Sequence, residues 1–514
     1  MCLQIYVTYV PIVLQKSNLM GIKNFLFTIL TLIILFAACR KQDDFITDSS
    51  AKIAFSQDTL RFDTVFTQIG SATRFFKVKN PNNRPIRISK ISFSNQADAT
   101  FNLNVDGIAG RTFQNVEIAA NDSIYVFAEV TVNPNAPLSV SPFVINNNVV
   151  FETNGNIQKI VLEAWGQNAN YIPNRFGKGT FTELDCQGST VVWDDKKPYV
   201  IYGILLVSNG VLRITAGTRV HIHGGFSKNP DIGLYNDGRI YVLPSAKLNV
   251  EGTLAKPVIF QGDRLEKEFK EDAGQWSGII LYRGSIDNQF NNVIIKNSKF
   301  GVYVDSAASL NLQYSQIFNT EGAALIGFRG NVNAKNCLFH SNGGGTLNTL
   351  YGGNYDFNYC TMANLGTTSP ALNLGNSYCA TVDDAGNCTR RIVGLLTANF
   401  TNCLIYGNKE DEIVFANPTK PNNFNFSFKN CIVRVKDLTK TENTPDFFTK
   451  CTDCINAPSG SKVFKKPTED NYHLDTLSIA FKKAKPISNI LDDLDGKRRD
   501  LNTPDIGCYD FPNR

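Results

Sequence analysis

Neither charge is in surplus in this chain of 514 residues, which carries 51 lysines and arginines against 46 aspartates and glutamates. A protein that binds nucleic acid needs a concentrated basic surface, because cationic groups make the phosphate contacts. The near balance of charge therefore argues against nucleic acid as a partner.

Long runs at helical spacing are also scarce, whereas glycine, asparagine and β-branched residues are abundant. Apolar residues that recur every three or four positions indicate a helix, and short alternating runs indicate strands. The sequence therefore predicts an all-β protein. Its length exceeds that of one ordinary domain, so we expect two. Its 12 cysteines are too dilute for a disulfide scaffold.

The apolar segment near the start of the sequence is short. It runs from Phe25 to Ala38, follows a lysine-containing start at Met20 and ends at Cys39. As a helix it would span about 21 Å, against roughly 30 Å of membrane hydrocarbon. This favours a cleaved signal segment over residues 1–38, with the true start at Met20, rather than a transmembrane helix.

The end of this segment, Phe36-Ala37-Ala38-Cys39, resembles the lipobox of bacterial lipoproteins, whose cysteine is acylated and becomes the N-terminus. The following residues 40–44, Arg-Lys-Gln-Asp-Asp, resemble the export tags of Bacteroidetes surface lipoproteins. The resemblance implies lipidation of Cys39, an anchored linker over residues 39–51, and a place on the outer membrane facing the cell exterior. The alternative is an ordinary signal peptide with a coincidental cysteine.

Residues 52–168 consist of short alternating runs separated by turns rich in asparagine and proline. Such runs predict antiparallel strands, including the neighbours 76–80 and 84–88 on either side of one turn, with Asn154-Gly155 as a hairpin turn. The region resembles the immunoglobulin-like modules of Bacteroidetes surface proteins, which implies a β-sandwich that acts as a spacer. No residue cluster in it indicates a binding role of its own.

Six later segments share the pattern apolar-x-apolar-x-Asn/Tyr-Ser/Cys-x-apolar. They begin at Val293, Leu310, Val332, Tyr355, Ala398 and Phe426. The inward positions alternate along each segment but shift by one residue at the Asn/Tyr position, which a straight strand could not accommodate. This predicts a bend there with left-handed backbone angles, which asparagine tolerates. An asparagine at the bend could also hydrogen-bond to its copy on the next coil. The Ser/Cys positions are 17, 22, 23, 43 and 28 residues apart. Steps near 22 suit one coil of a three-sheeted β-helix, and the step of 43 predicts an insertion at about 365–397.

The segments 214–220 and, near the end, 491–498 and 504–509 resemble the opening coils and the closing segment of right-handed parallel β-helix proteins of the pectin-lyase-like superfamily. The resemblance implies a right-handed parallel β-helix over residues 180–465, closed by a C-terminal segment over residues 466–514.

Eight of the cysteines fall into three groups. Those at the inward Ser/Cys position predict a buried column of small side chains, with a metal site or a disulfide ladder as the alternative: Cys337, Cys360, Cys403 and Cys431. Cys379 and Cys388, nine residues apart in the insertion, are expected to form a disulfide in an exported protein. Cys451 and Cys454 have the spacing of half a zinc site, but no second half is evident, so we expect a local disulfide or free thiols.

Three polar features favour ordinary structural roles. His221 and His223 alternate with apolar residues, so both rings are expected on the outer, solvated face of one strand, although two imidazoles could begin a metal site. Asp493-Leu-Asp-Gly496 predicts a turn rather than a calcium loop. The charged run 264–272 predicts a solvated loop.

The enzymes of this superfamily need clustered acids. Lyases use acids around calcium with a basic residue that removes a proton, and hydrolases use two or three aspartates. The outward positions of the six segments hold one acid, Asp356, and the Gly-His-Gly turn of the hydrolases is absent. Arg434-Val-Lys436 matches their Arg-x-Lys strand, without accompanying aspartates. We therefore predict no catalytic, cofactor-binding or metal-binding residues, and lean against an enzyme.

The expected function is that of a non-catalytic, monomeric surface lipoprotein whose β-helix binds or scaffolds a polysaccharide or another envelope protein. A stacked sheet offers long columns of asparagine and lysine, which suit an extended polymer. Four aromatic residues could stack on sugars: Tyr351, Tyr355, Phe357 and Tyr359. Tyr355 and Phe357 occupy inward positions, however, which predicts that they belong to the core. The alternative function is a divergent polysaccharide lyase or glycoside hydrolase.

Overall fold

The computed structural model describes residues 45–66, 73–97, 100–131, 143–174, 177–230, 232–265, 269–416, 421–440, 447 and 449–511. Cys39 and the rest of the predicted export segment lie outside these residues. The first ten strands are β1 (Ala54–Phe55), β2 (Thr59–Phe66), β3 (Arg74–Lys79), β4 (Ile86–Phe93), β5 (Phe101–Val105), β6 (Ile108–Gly110), β7 (Thr112–Ile118), β8 (Ser123–Val130), β9 (Phe143–Thr153) and β10 (Asn156–Gln167).

These ten strands form two five-stranded sheets that share one core. One sheet has the order β1-β3-β8-β5-β6 and the other β2-β10-β9-β4-β7. Apolar side chains alternate along each strand, so one side of each sheet contributes to a common buried cluster that includes Phe76, Val126, Phe151 and Leu162. The hairpin turn between β9 and β10 is confirmed, since Asn154 has a φ of 51° and Gly155 a φ of 75°.

Segments 76–80 and 84–88 lie in antiparallel strands, as predicted, but they do not pair with each other. These segments lie in β3 and β4, which belong to different sheets: β3 pairs with β8, and β4 pairs with β7 and β9. The turn between them therefore carries the chain from one sheet to the other. β2 and β10 also pair in parallel rather than antiparallel.

The chain then forms a long series of short strands. In order they are β11 (Asn170–Ile172), β12 (Phe181–Trp193), β13 (Tyr199–Tyr202), β14 (Ile204–Thr215), β15 (Arg219–His223), β16 (Phe226–Asn229), β17 (Gly233–Asn236), β18 (Arg239–Val242), β19 (Ala246–Glu251), β20 (Val258–Gly262), β21 (Gly278–Leu281), β22 (Asn288–Asn291), β23 (Val293–Lys296), β24 (Val302–Val304), β25 (Ser309–Gln313), β26 (Gln316–Thr320), β27 (Leu325–Gly327), β28 (Asn331–Lys335), β29 (Leu338–Asn342), β30 (Leu347–Thr349), β31 (Gly353–Asn358), β32 (Thr361–Asn364), β33 (Leu372–Gly375), β34 (Ser377–Val382), β35 (Cys388–Val393), β36 (Leu396–Thr401), β37 (Leu404–Gly407), β38 (Ile413–Ala416), β39 (Phe424–Lys429), β40 (Ile432–Val433), β41 (Cys451–Thr452), β42 (Ile455–Asn456), β43 (Phe464–Lys466) and β44 (Asn471–Leu474).

Most of these strands lie in two long parallel sheets of 17 and 11 strands. Each regular turn of the chain supplies three strands, for example β24, β25 and β26, which pair with β27, β28 and β29 of the next turn. The first and second strands of each turn belong to the larger sheet and the third to the smaller one. The protein is thus all-β with large parallel sheets, an arrangement consistent with a parallel β-helix. We call residues 170–456 the parallel stack.

The predicted bend occurs in all six repeated segments. Each Asn/Tyr position has a positive φ between 48° and 63°: Asn297, Tyr314, Asn336, Tyr359, Asn402 and Asn430. The inward positions of the segments are buried, with only Phe300 partly exposed. Within the stack, Phe357, Phe400 and Phe428 form a column of nearly parallel rings with centroids 5.3 and 4.8 Å apart.

The sequence suggested that the asparagines at the bend bond to their copies on the next coil. Only Asn430 does something similar, since its side chain bonds to Asp453 at the same position of the next turn, whereas Asn297, Asn336 and Asn402 bond to segments that cover the stack. The amide of Asn402 donates to the carbonyl of Lys485 and accepts from its N–H, at 2.8 and 3.1 Å. That of Asn336 donates to the carbonyl of Asp492 and accepts from Arg499. Asn297 donates likewise to carbonyls of the loop that precedes β21.

The C-terminal segment therefore lies along the outer side of the smaller parallel sheet. Its apolar residues, among them Tyr472, Ile490 and Ile506, form one cluster with Leu338 and Leu404 of the stack. The segment contains the antiparallel pair β43–β44. Short 3₁₀ helices occupy Pro421–Asn423, Asp437–Thr439 and Pro467–Glu469.

The insertion predicted at about 365–397 contains a hairpin, 377–393. β33 continues the parallel sheet between β30 and β38, and only the antiparallel pair β34–β35 projects from it. Among the described residues, no helix is long and apolar enough to cross a membrane.

Candidate functional site

The outer side of five consecutive second strands forms a continuous polar surface. We call it the asparagine face, and it consists of Ser309, Asn311, Gln313, Asn331, Asn333, Lys335, Asn354, Asp356, Asn358, Thr397, Asn399, Thr401, Asn425, Ser427 and Lys429. These residues alternate with buried apolar ones, so the strand period places all of them on the side away from the core.

The strand register aligns these side chains in columns. Asn311, Asn333, Asp356 and Asn399 follow one another in the central column, one on each successive strand. Neighbouring strands lie about 4.8 Å apart, so the column repeats its polar groups at that spacing. The side-chain amides of Asn311, Asn333 and Asn399 make no hydrogen bond to another described residue, and each is therefore available to a ligand.

A shallow cleft of about 270 Å³ lies in this face, lined by the central column and by the column that precedes it along the strands. In that neighbouring column, Asn354 donates to the amide oxygen of Asn331 at 2.7 Å. The cleft is lined by residues of the four strands β25, β28, β31 and β36 and offers amide donors and acceptors. Such a surface suits an extended, hydroxyl-rich polymer better than a compact small molecule.

Three rings adjoin one edge of the asparagine face, and we call them the aromatic corner: Phe328, Tyr351 and Tyr378. Their centroids are 4.9 to 5.3 Å apart, and each ring is partly exposed. Phe328 and Tyr351 each precede an asparagine of the face by three residues, which places them within about 10 Å of it. Arg329 lies 5.8 Å from the centroid of Tyr351.

The geometry of this corner depends on a glycine. Gly353 has a φ of 116°, and a Cβ atom there would approach the carbonyl oxygen of Gly330 to 2.4 Å. Tyr378 comes from the hairpin β34–β35, in which the structure joins Cys379 and Cys388 by a disulfide bond. The hairpin therefore contributes a ring to the corner and is held together beside it.

The four aromatic residues noted in the sequence lie in different environments. Tyr355 and Phe357 are fully buried in the core of the stack, as their inward positions predicted. Tyr359 is also fully buried, but in the cluster beneath the C-terminal segment. Tyr351 is partly exposed in the aromatic corner. The sequence reasoning missed Phe328 and Tyr378, since only the strand register brings these three rings together.

Asp356 is the one carboxylate on the asparagine face, and it accepts a hydrogen bond from Asn358. General acid and base catalysis of glycoside hydrolysis uses two carboxyl groups across the bond to be cleaved. Arg434 of the Arg-x-Lys match is buried and donates to the carbonyl of Gly407 at 3.2 Å. In the described part of the chain, no three His, Cys, Asp or Glu side chains are grouped to hold a metal ion.

The expectation that both histidines of β15 are solvated is wrong for His221. Its ring points outward from the sheet but is 2% exposed, and burial lowers its pKa to about 4. His223 is partly exposed, and its Nδ1 lies 2.7 Å from a carboxylate oxygen of Asp263, an acid that the sequence had not indicated. Its ring also stacks on Tyr202.

The inward cysteines form the buried column that the sequence predicted. Cys337, Cys360, Cys403 and Cys431 are fully buried free thiols, and each donates to the carbonyl two residues earlier. Burial raises the pKa of Cys403, which keeps the uncharged thiol dominant. Cys451 and Cys454 are also free thiols.

The remaining polar features are structural. Asp493 is buried and accepts the backbone N–H groups of Lys497 and Asp510, at 2.8 and 3.0 Å, which makes it part of a turn as predicted. In the charged run 264–272, the carboxylate of Glu271 pairs with Lys296 at the surface, at 3.3 Å.

No protein-family model matches the chain, and no curated protein matches it either. Similar solved structures include a protein of unknown function from Porphyromonas gingivalis W83, with 14% identity and a TM-score of 0.17 over 22% of this chain and 46% of that one. A family 123 glycoside hydrolase from Clostridium perfringens matches with 8% identity and a TM-score of 0.17, over 36% of this chain and 43% of that one. The chain thus spans less than half the length of these two proteins.

A third solved structure covers more of the chain. It is the catalytic unit of a GH87 α-1,3-glucanase from Streptomyces thermodiastaticus strain HF3-3, with 8% identity and a TM-score of 0.22 over 70% of this chain and 72% of that one. All three TM-scores are too low for these similarities to bear on function.

Proposed function

We propose that the protein binds an extended polysaccharide along the asparagine face without cleaving it. The observation that carries this proposal is the central column, in which three amides with no partner among the described residues lie in register on neighbouring strands beside a single carboxylate. Amide groups pair well with sugar hydroxyls, and the adjoining aromatic corner offers rings for the apolar faces of sugars.

The wider arrangement is part of the same proposal. The parallel stack would coil as a right-handed parallel β-helix, and the N-terminal sheets would form an immunoglobulin-like module between it and the membrane. A lipid anchor at Cys39 would hold the monomeric protein on the outer membrane with the asparagine face outside the cell. A polymer in the surroundings would then reach the face directly.

The test is binding of the mature chain to a panel of immobilised polysaccharides, run beside assays for new reducing ends and unsaturated products. A triple variant N311A/N333A/N399A removes the unpaired amides. We expect it to lose at least tenfold in affinity, because each amide would leave sugar hydroxyls unpaired in the bound state.

The matched control is N83A/N408A/N502A, which removes three asparagine side chains that make no hydrogen bond in the described structure and lie away from the face. It should bind within about twofold of the native protein. Absence of binding to every polysaccharide would contradict the proposal, and so would product formation, which would favour a hydrolase or lyase instead.

A further inference from the structure

The N-terminal sheets expose three aromatic rings on the outer side of the sheet β1-β3-β8-β5-β6. Phe75 is 50% exposed and Tyr125 is 41% exposed, while Phe127 is partly covered by them. The ring centroids are 5.4 to 6.0 Å apart, and the planes of Tyr125 and Phe127 differ by only 17°. We call these three residues the aromatic platform.

The platform does not contribute to the core. The same strands bury Phe76, Val78, Val126 and Ala128 on their inner side, so the hydrophobic core is complete without the outer rings. Exposed apolar side chains occur singly on most protein surfaces, whereas a contiguous group of large rings indicates a binding surface.

Polar side chains border the platform on the adjacent strand. In the strand register Asn104 lies opposite Phe127, and Asn102 lies opposite Glu129. The side chains of Asn102 and Glu129 make no hydrogen bond to any described residue. Together with Phe127 they line an open pocket of about 700 Å³.

We propose that this platform is a second, independent binding site, and that its ligand is a neutral polysaccharide. A pyranose ring has an apolar C–H face and a rim of hydroxyl groups. The nearly parallel rings match the apolar face, and the amides and carboxylate match the rim.

The charges around the platform select the neutral class. Lys77 lies with its Nζ 4.6 Å from the centroid of the Tyr125 ring, and Glu129 stands on the other side of Phe127 with no cation paired to it among the described residues. An acidic polysaccharide or an anionic membrane surface would bring negative charge against Glu129, and Lys77 on the far side of Phe127 would offset this only in part. A neutral glycan meets no such penalty.

This inference does not rest on the asparagine face. It assigns the N-terminal sheets a role beyond that of a spacer, and it gives the chain two separate contacts for carbohydrate. Two linked sites would hold one polymer more tightly than either site alone, provided that the polymer spans both.

The experiment is affinity gel electrophoresis of the mature chain through gels that contain soluble xylan, mannan, mixed-linkage β-glucan or starch, with polygalacturonate as the acidic comparison. The variants Y125A and F75A each remove a ring from the platform. We expect at least one neutral polymer to retard the native chain, and each variant to reduce the affinity at least tenfold. Retardation by polygalacturonate should be unchanged in both variants.

The matched control is I157A, because Ile157 is 76% exposed on β10 of the other sheet and outside the platform. It should bind as the native chain does. N102A gives a second probe of the site that leaves the rings intact, should a ring variant fail to fold as judged by its thermal midpoint.

The variant N311A/N333A/N399A separates the two proposals, since it changes the asparagine face and leaves the platform intact. Loss of binding in Y125A but not in this triple variant would support the platform alone. Native retardation by neutral polymers that Y125A, F75A and N102A all leave unchanged would overturn the inference, as would no retardation by any neutral polymer.

Discussion

The environment of His340 illustrates how a covering segment changes the chemistry of one residue. The ring lies on the outer side of β29 between Phe318 and Tyr472, with both ring centroids 4.6 Å away. Burial lowers its pKa from 6.5 to about 3, although the carboxylate of Asp470 lies 3.7 Å from Nδ1. The folded protein therefore holds this imidazole in its neutral form.

The lowered pKa predicts a loss of stability in acid. Between pH 6.5 and about 3 the unfolded chain takes up a proton at His340 and the folded chain does not, so stability falls as the pH falls through this range. From pH 7 to pH 4 the contribution amounts to about 3 kcal/mol. H340F retains the stack of rings and should lose about that much less stability than the native protein over this interval.

Urea denaturation at pH 7 and pH 4 measures the difference between the two proteins. Equal losses of stability in the native protein and in H340F would show that the pKa of His340 is the same in the folded and unfolded chains. Other buried groups, His221 among them, contribute to both proteins and cancel in the comparison.

At the scale of elements, one residue at a bend can both turn the backbone and hold a covering segment in place. Asn402 adopts a φ of 54° and also makes both side-chain bonds to Lys485 of the C-terminal segment. Asparagine tolerates the left-handed region better than most residues, and its amide supplies one donor and one acceptor at the same place.

Two substitutions at this position separate the backbone effect from the hydrogen bonds. N402G keeps an easily adopted left-handed backbone and loses both bonds, which we expect to cost about 1–3 kcal/mol. N402A loses the bonds and adds backbone strain of about 1 kcal/mol more. Denaturant unfolding measures both values.

The control for this pair is N209G. Asn209 also has a positive φ, of 49°, but its side chain is exposed and makes no hydrogen bond among the described residues. This variant should retain the native stability within about 0.5 kcal/mol. If N402G were as stable as N209G, the side-chain bonds would not hold the C-terminal segment.

The bends and the inward columns could be predicted from the sequence because they depend on local alternation and on one residue type. The pairing of β3 with β8 could not be predicted, because the two strands are more than 40 residues apart in the sequence and each could have belonged to either sheet. For the same reason the sequence gave no sign that Phe75 and Tyr125 lie side by side on one sheet. Likewise, Asp263 meets His223 only through the pairing of β15 with β20.

The asparagine face could be predicted from the sequence only in part. Its outward residues were readable from the repeat, and its single acid was visible in the sequence. The aromatic corner was not, because Tyr378 reaches it from a hairpin inserted into one turn. The sequence predicts the regular part of the site, and irregular segments supply the rest.

At the scale of the whole molecule, the two proposed carbohydrate contacts bear on the lipid anchor that we propose at Cys39. A protein tethered at that residue would hold both surfaces outside the membrane. We expect the mature N-terminal peptide to begin at Cys39 and to carry acyl chains, and C39S to leave the membrane fraction. Mass spectrometry of the peptide and fractionation of cells measure these outcomes, and an unmodified N-terminus at another residue would contradict them.

The C-terminal segment has a consequence for the order in which the molecule is completed. Its hydrogen bonds to Asn336 join residues 156 and 163 positions apart, and its apolar residues cover turns formed much earlier in the chain. Any state in which the stack has formed and this segment has not yet docked exposes the outer side of the smaller sheet, including Leu338 and Leu404. Such a state is prone to association, so we expect docking of the C-terminal segment to protect the folding chain from aggregation.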